Sequence, residues 1–160
     1  MRKVLLVLFL LSIFLISGCY KIEKSIEVTY KISGGLVPEQ YKDWHDTITI
    51  KNDGTIARDY KFESEIKKQV KLSTQELNEF KKLVLEANVF ELNNNYDSKC
   101  ENNTSICETI TDGPYHRIEF IIDGKTKSIG MVIPGYAPKE LQDIIKKINE
   151  FKERKLALGI

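Results

Sequence analysis

Two Asp-Gly pairs, Asp53-Gly54 and Asp123-Gly124, govern what this chain can fold into, because each lies between runs in which residue types alternate. Alternation puts one side of a strand on a core and the other in water, and Asp-Gly tolerates the positive φ of a tight hairpin. Before the first pair, Ile48 and Ile50 alternate with Thr47, Thr49 and Lys51; after it come Ile56, Tyr60 and Phe62. Before the second, Ile118, Phe120 and Ile122 alternate with Arg117, Glu119 and Ile121; after it come Ile129, Met131 and Ile133, ended by Pro134-Gly135. An earlier strand is predicted from Ile26, Val28, Tyr30 and Ile32, closed by Gly34-Gly35, and a further one from Ile66, Val70 and Leu72.

Helices follow each hairpin set. Ser73 and Glu76 have capping-box spacing, and Leu77, Phe80, Val84 and Ala87 recur at helical intervals, so a helix is predicted to about Asn88. Pro138 suits a first helical turn, and Leu141, Ile144, Ile145, Ile148 and Phe151 form the apolar stripe behind it, with Lys146, Lys147 and Lys152 outside. The order β-β-β-β-α-β-β-α predicts an α+β fold: an antiparallel sheet of about six strands with both helices on one face. From Asn93 to Gly113 periodicity fails, which predicts a long surface loop.

The first residues follow another logic. Met1-Arg2-Lys3 is basic, Val4 to Ile16 is apolar apart from Ser12, and small residues come next, the layout of a secretory signal. The run falls short of the about 20 apolar residues that span a bilayer, so export is expected rather than a permanent membrane helix. Ile16-Ser17-Gly18-Cys19 resembles the lipobox of prokaryotic lipoproteins, with Ile16 where leucine is commoner. The resemblance implies cleavage between Gly18 and Cys19 and a diacylglyceryl thioether on Cys19; the plainer alternative is an ordinary signal peptide with an incidental cysteine. Two or more acyl chains anchor a protein stably where one holds it marginally. The expected organisation is a signal peptide over 1–18, a lipidated tether over 19–25 and a single domain over 26–160, exported and anchored to the cell membrane or outer membrane.

Losing residues 1–18 removes Arg2 and Lys3 and moves the formal charge from +1 to −1. That balance argues against nucleic acid, which calls for a strongly basic face. Cys100 and Cys107 stand in a polar stretch, and two nearby thiols in an exported protein are expected to form a disulfide. Such a bridge over a short loop stabilises by about 2–3 kcal/mol. A zinc pair would need further Cys or His ligands at closer spacing, and the two histidines are His45 and His116.

The candidate sites each have a structural rival. His116 falls in phase with Ile118, Phe120 and Ile122 on the inward face, where a hydrogen-bonded core histidine competes with a ligand or general base. In "YKDWHD", Tyr41, Trp44 and His45 enter a strand; they either pack over a sheet edge or contact a partner. Asp97, Glu101, Glu108 and Asp112 lack the regular spacing of a calcium loop, so no metal is expected. The overlapping sequons at Asn102 and Asn103 would accept glycans only where the machinery exists. No nucleophile elbow, P-loop, zinc-protease or dinucleotide motif occurs.

"TITIKNDGTI", "LVLEANVFEL", "TDGPYHRIEFIIDGKTKSIG" and "APKELQDIIKKINEF" together resemble a loose family of small secreted or lipid-anchored prokaryotic domains. The resemblance covers Thr47 to Phe151; it implies an architecture and carries over no catalytic residue. The expectation is a membrane-anchored envelope lipoprotein acting as a non-catalytic interaction or structural module. Its partner would be another envelope protein or a glycan, and its one prosthetic group the covalent lipid on Cys19. The alternative is a small-ligand or metal-binding envelope protein. A hydrolase would need a concave site joining His116 or His45 to a carboxylate.

Overall fold

In the computed structural model, which describes residues 24–35, 38–100, 107–109 and 113–157, Asp53-Gly54 and Asp123-Gly124 each turn a hairpin. The strands are β1 (Ile26–Ser33), β2 (His45–Ile50), β3 (Thr55–Lys61), β4 (Glu65–Lys71), β5 (Asn95–Tyr96), β6 (Ser98–Cys100), β7 (Cys107–Thr109), β8 (Tyr115–Ile122) and β9 (Lys125–Val132). Two helices, α1 (Thr74–Glu86) and α2 (Lys139–Lys155), complete the fold. Between β8 and β9 the loop is Asp123-Gly124 alone, with φ of 50° and 78°, the two-residue turn whose twist matches the strands. Between β2 and β3 the loop is longer: Lys51 N–H donates to the Thr55 carbonyl, and Gly54 takes a φ of 82°. The Asp53 carboxylate accepts from the Thr55 N–H and hydroxyl and from Lys71, which fixes that turn and holds its carboxyl well below the usual range, chiefly through Lys71.

The main sheet runs β4-β3-β2-β1-β8-β9-β5, with β6-β7 as a separate ladder. Six strands are antiparallel neighbours as the alternation predicts, but β5 pairs parallel with β9, so the sheet is mixed and has seven strands. The difference arises in the stretch predicted as a bare loop. Strands β5, β6 and β7 have two or three residues each, too few to show a period. Phe62 also departs from expectation: β3 ends at Lys61 and the ring stands in the β3–β4 turn, partly exposed.

Side chains on one face of the strands meet the stripes of both helices in a single cluster. Tyr30, Ile48, Ile56, Ile118 and Phe120 come from the sheet, Phe80 and Val84 from α1, and Leu141, Ile144 and Phe151 from α2. Phe80 and Phe151 join the helices edge to face at 6.1 Å. Burying such a side chain contributes about 1.5–3 kcal/mol. Helix α1 begins with the capping box: Ser73 Oγ accepts from Glu76 N–H at 3.2 Å and Glu76 accepts from Ser73 N–H at 2.8 Å. It stops short of Asn88, which adopts a left-handed φ of 45° that asparagine tolerates.

The end of α2 is held by charge. Arg58 on β3 donates two hydrogen bonds of 2.8 Å to Asp46 on β2, and Lys152 of α2 stands 3.6 Å from the same carboxylate. Arg58 also donates to the Leu156 carbonyl, and Lys68 on β4 to the Ala157 carbonyl at 2.6 Å. Among the described residues no helix is long and apolar enough to cross a membrane. The signal peptide, Cys19 and its cleavage site, Glu101, the sequons and Asp112 lie outside the described residues, as do the side chains of Cys100, Cys107 and Glu108. The backbone places Cys100 directly opposite Cys107 in the β6–β7 ladder.

Candidate functional site

The residues singled out by sequence gather at one end of the sheet because of its register. Ser33, the last residue of β1, stands opposite His45 at the start of β2 and opposite Tyr115 at the start of β8. His45 in turn faces Lys61 at the end of β3. Tyr41, Trp44, His45, Phe62, Tyr115 and His116 therefore share this end.

Most of them are occupied within the chain. Tyr41 stacks on Phe62 with centroids 4.3 Å apart and planes 15° off parallel. Trp44 donates its indole N–H to the Gly34 carbonyl at 2.8 Å. Gly34 has a φ of 73°, and a Cβ there would lie 2.6 Å from a ring carbon of Tyr115, so the tyrosine ring rests on the glycine. Tyr41 and Trp44 thus make packing contacts at this end of the sheet.

His45 lies across from Ser33 and close to Asp59, a grouping that resembles a hydrolytic triad in composition. The geometry does not match one. Nδ1–H donates to the Asp43 carbonyl at 3.1 Å, and Nε2 stands 3.5 Å from Asp59 Oδ1 without hydrogen-bond geometry, so both ring nitrogens face oxygens. Among the described residues no hydrogen bond joins His45 to Ser33, so the relay such a triad needs is not in place.

Among the described residues His116 has one hydrogen-bond partner. Its Nδ1 is 2.6 Å from the hydroxyl of Tyr30, which is 1% exposed. Burial, and then the negative charge of Asp46, push the Tyr30 pKa far up, so its proton stays on. Burial, and then the positive charge of Lys152, push the His116 pKa down, so the ring is neutral at pH 7. Tyr30 has no other hydrogen-bond partner among the described residues, so its O–H donates to Nδ1. The remaining proton of His116 then sits on Nε2, a tautomer assigned from the network. This histidine presents a donor where a general base would present a lone pair.

Two hollows meet at His116. One, of about 570 Å³, lies between the sheet end and α2 and is lined by Tyr30, Ile32, His116, Gln142, Asp143 and Asn149 among others. The second, of about 350 Å³, opens on the other side and is lined by Lys31, Ser33, Tyr115, His116 and Arg117. Asp97 borders a much smaller space near Tyr115 and His116. Among the described residues no three His, Cys, Asp or Glu side chains converge as a metal site would require. Lys31, Arg117 and Tyr115 were not singled out from the sequence. Their alternation was visible, but which strands lie side by side was not.

No protein-family model matches this chain, and no curated protein matches it significantly. Its site has to be interpreted from its own geometry.

Proposed function

We propose that this chain is an exported, lipid-anchored and non-catalytic recognition module of the cell envelope. The observation that supports this reading is the separation of the two ends of β1. Its first residue, Ile26, pairs with Ile122 beside the β8–β9 turn, and Ser25 N–H donates to Asp123. The aromatic and cationic side chains cluster where β1 ends, seven residues away, about 23 Å at strand rise. A flexible tether over 19–25 spans about 15 Å on average, less than the length of β1, so a lipid on Cys19 would hold the turn end toward the bilayer and the aromatic end away from it. The histidine geometries support a binding role, since among the described residues neither ring is hydrogen-bonded to a serine, threonine or cysteine.

A cross-strand Cα separation of about 4.5–5.5 Å falls within the range a disulfide needs, which supports a Cys100–Cys107 bridge as a staple of the β6–β7 ladder. A second reading, a small-ligand carrier, draws on the cleft beside His116, whose about 570 Å³ is within the usual range for ligand pockets.

The test is a pair of photocrosslinkers, one replacing Tyr115 and one replacing Lys125 in the β8–β9 turn, in cells fed a labelled fatty acid. The turn probe should capture lipid, the Tyr115 probe should capture non-lipid envelope material, and Cys19→Ser should abolish both fatty-acid labelling and membrane retention. Equal lipid capture from both positions, or membrane retention of unlabelled Cys19→Ser, would sink the proposal.

A further inference from the structure

The open face of the sheet is charge-matched on its β3–β4 side. Lys61 reaches Asp43, Lys67 reaches Glu65 and Asp59, and Lys71 reaches Asp53. The central pair of strands breaks this pattern. Lys31 on β1 and Arg117 on β8 are direct cross-strand partners on the same face, and among the described residues neither has an ion-pair partner. Glu119, one pleat further along β8, bonds to neither. Like charges directly opposite destabilise a sheet, and β1 and β8 are paired on both sides and cannot splay to relieve it.

We infer that Lys31, Ser33, Tyr115 and Arg117 form a binding site for an acidic saccharide, a sugar carrying a carboxylate or phosphate. Ser33 and Tyr115 are the adjacent cross-strand pair on the same face. The guanidinium fork and the ammonium would share the anionic group, the pairing in which arginine excels. Tyr115 supplies the platform: its ring is fixed against Gly34 yet 49% exposed, flat and rigid beside the cations. His116, between Tyr115 and Arg117 on β8, completes the lining of the hollow. None of the described residues lining it is acidic, and Lys31, Ser33, Tyr115 and Arg117 can each donate a hydrogen bond. A ligand of hydroxyl and carboxylate oxygens answers such a lining, whereas a peptide strand brings N–H groups that need acceptors. A nucleic acid needs a track of cations to follow its phosphates, and this block has two.

The inference rests on the recognition-module reading and names its ligand class. The experiment titrates the full chain in detergent with trigalacturonic acid, following fluorescence of Trp44, the one tryptophan, which is bonded to the glycine beneath Tyr115. Neutral maltotriose, inorganic phosphate and triglutamate are the comparison probes. Trigalacturonate should bind saturably, with maltotriose at least about tenfold weaker. Lys31→Gln and Arg117→Gln should each weaken it by about fivefold, the upper range for one exposed charge pair. Tyr115→Leu should weaken the sugar acid and leave phosphate unchanged, while both charge variants melt at or above the wild-type temperature. Absence of saturable binding, equal binding of maltotriose, or indifference to Lys31→Gln and Arg117→Gln would overturn the site. Triglutamate binding as tightly, unaffected by Tyr115→Leu, would overturn the saccharide and indicate an acidic peptide. Failure here, with Tyr115 still crosslinking to envelope material, removes the saccharide and leaves the module standing.

Discussion

Replacing Asp46 by asparagine removes one charge from the network that pins α2 and should be among the most damaging isosteric changes available. The Asp46 side chain is 9% exposed, Arg58 10% and Lys152 15%, so two cations share one carboxylate with little water to screen them. Asparagine keeps the shape, but its amide N–H₂ meets the guanidinium where an acceptor oxygen stood; Arg58 loses its counter-charge, and among the described residues Lys152 is left with Glu153 alone, 3.7 Å away. Breaking a buried ion pair from one side costs about 3–5 kcal/mol. For a domain of this size that lowers Tm by about 10–15 °C and the urea midpoint by about 2 M, with m unchanged. The control is the triple variant Asp46→Leu, Arg58→Met, Lys152→Met, which removes all three charges and should recover most of the loss, because apolar replacement of a whole buried network is often close to neutral. Urea denaturation followed by far-UV circular dichroism measures both. A cost for Asp46→Asn below about 1 kcal/mol would show that water screens the network after all and would refute the reasoning.

Gly34→Ala should cost more than Gly124→Ala: both impose about 1–2 kcal/mol for a left-handed backbone, but at Gly34 the new methyl meets the Tyr115 ring, while at Gly124 it meets nothing within 4 Å. Thermal melts give the comparison, and a shifted Trp44 emission in Gly34→Ala alone would report the displaced ring. Ser73→Ala should cost about 1 kcal/mol by denaturant titration through loss of the helix cap. The Glu76 carboxyl is held down to about 2, first by the Ser73 backbone N–H and also by Lys155, so the stability it contributes is present above its unfolded value of 4.5 and is lost as pH falls toward 2. An acid titration of Glu76→Gln should lack that segment of the curve. His116 should titrate below 6.5 by NMR, and Lys152→Met should move it back up. Because the unfolded chain then binds the proton first, stability should fall with acidification just below pH 6.5, and His116→Gln should flatten that slope.

What is legible in the sequence is structure whose physical period spans several residues. Eight-residue strands such as β1 and β8 repeat their alternation often enough to be recognised, and the stripes of α1 and α2 do the same at helical spacing. Elements too short to repeat their period are not legible, as at Asn95–Tyr96, whose parallel pairing with β9 depends on a neighbour supplied by the fold. The inward phase of His116 was visible, but its partner Tyr30 lies 86 positions away and meets it through the β1–β8 register. The same distance hid Lys31 beside Arg117, each unremarkable on the polar face of its own strand. Charge pairing across a sheet is a property of register, and register is set jointly by every turn and strand. Asp46 shows the limit in another way: a carboxylate at an inward strand position looks like an error until Arg58 and Lys152 arrive from two other elements.

The central position of β1 has a mechanical consequence. A pull arriving through the residues before Ile26 runs lengthwise along a strand bonded on one side to β2 and on the other to β8. Both ladders are then loaded in shear, so their bonds share the force and must yield together, whereas an edge strand would peel away one bond at a time. A chain built this way keeps its shape under tension applied from its amino end.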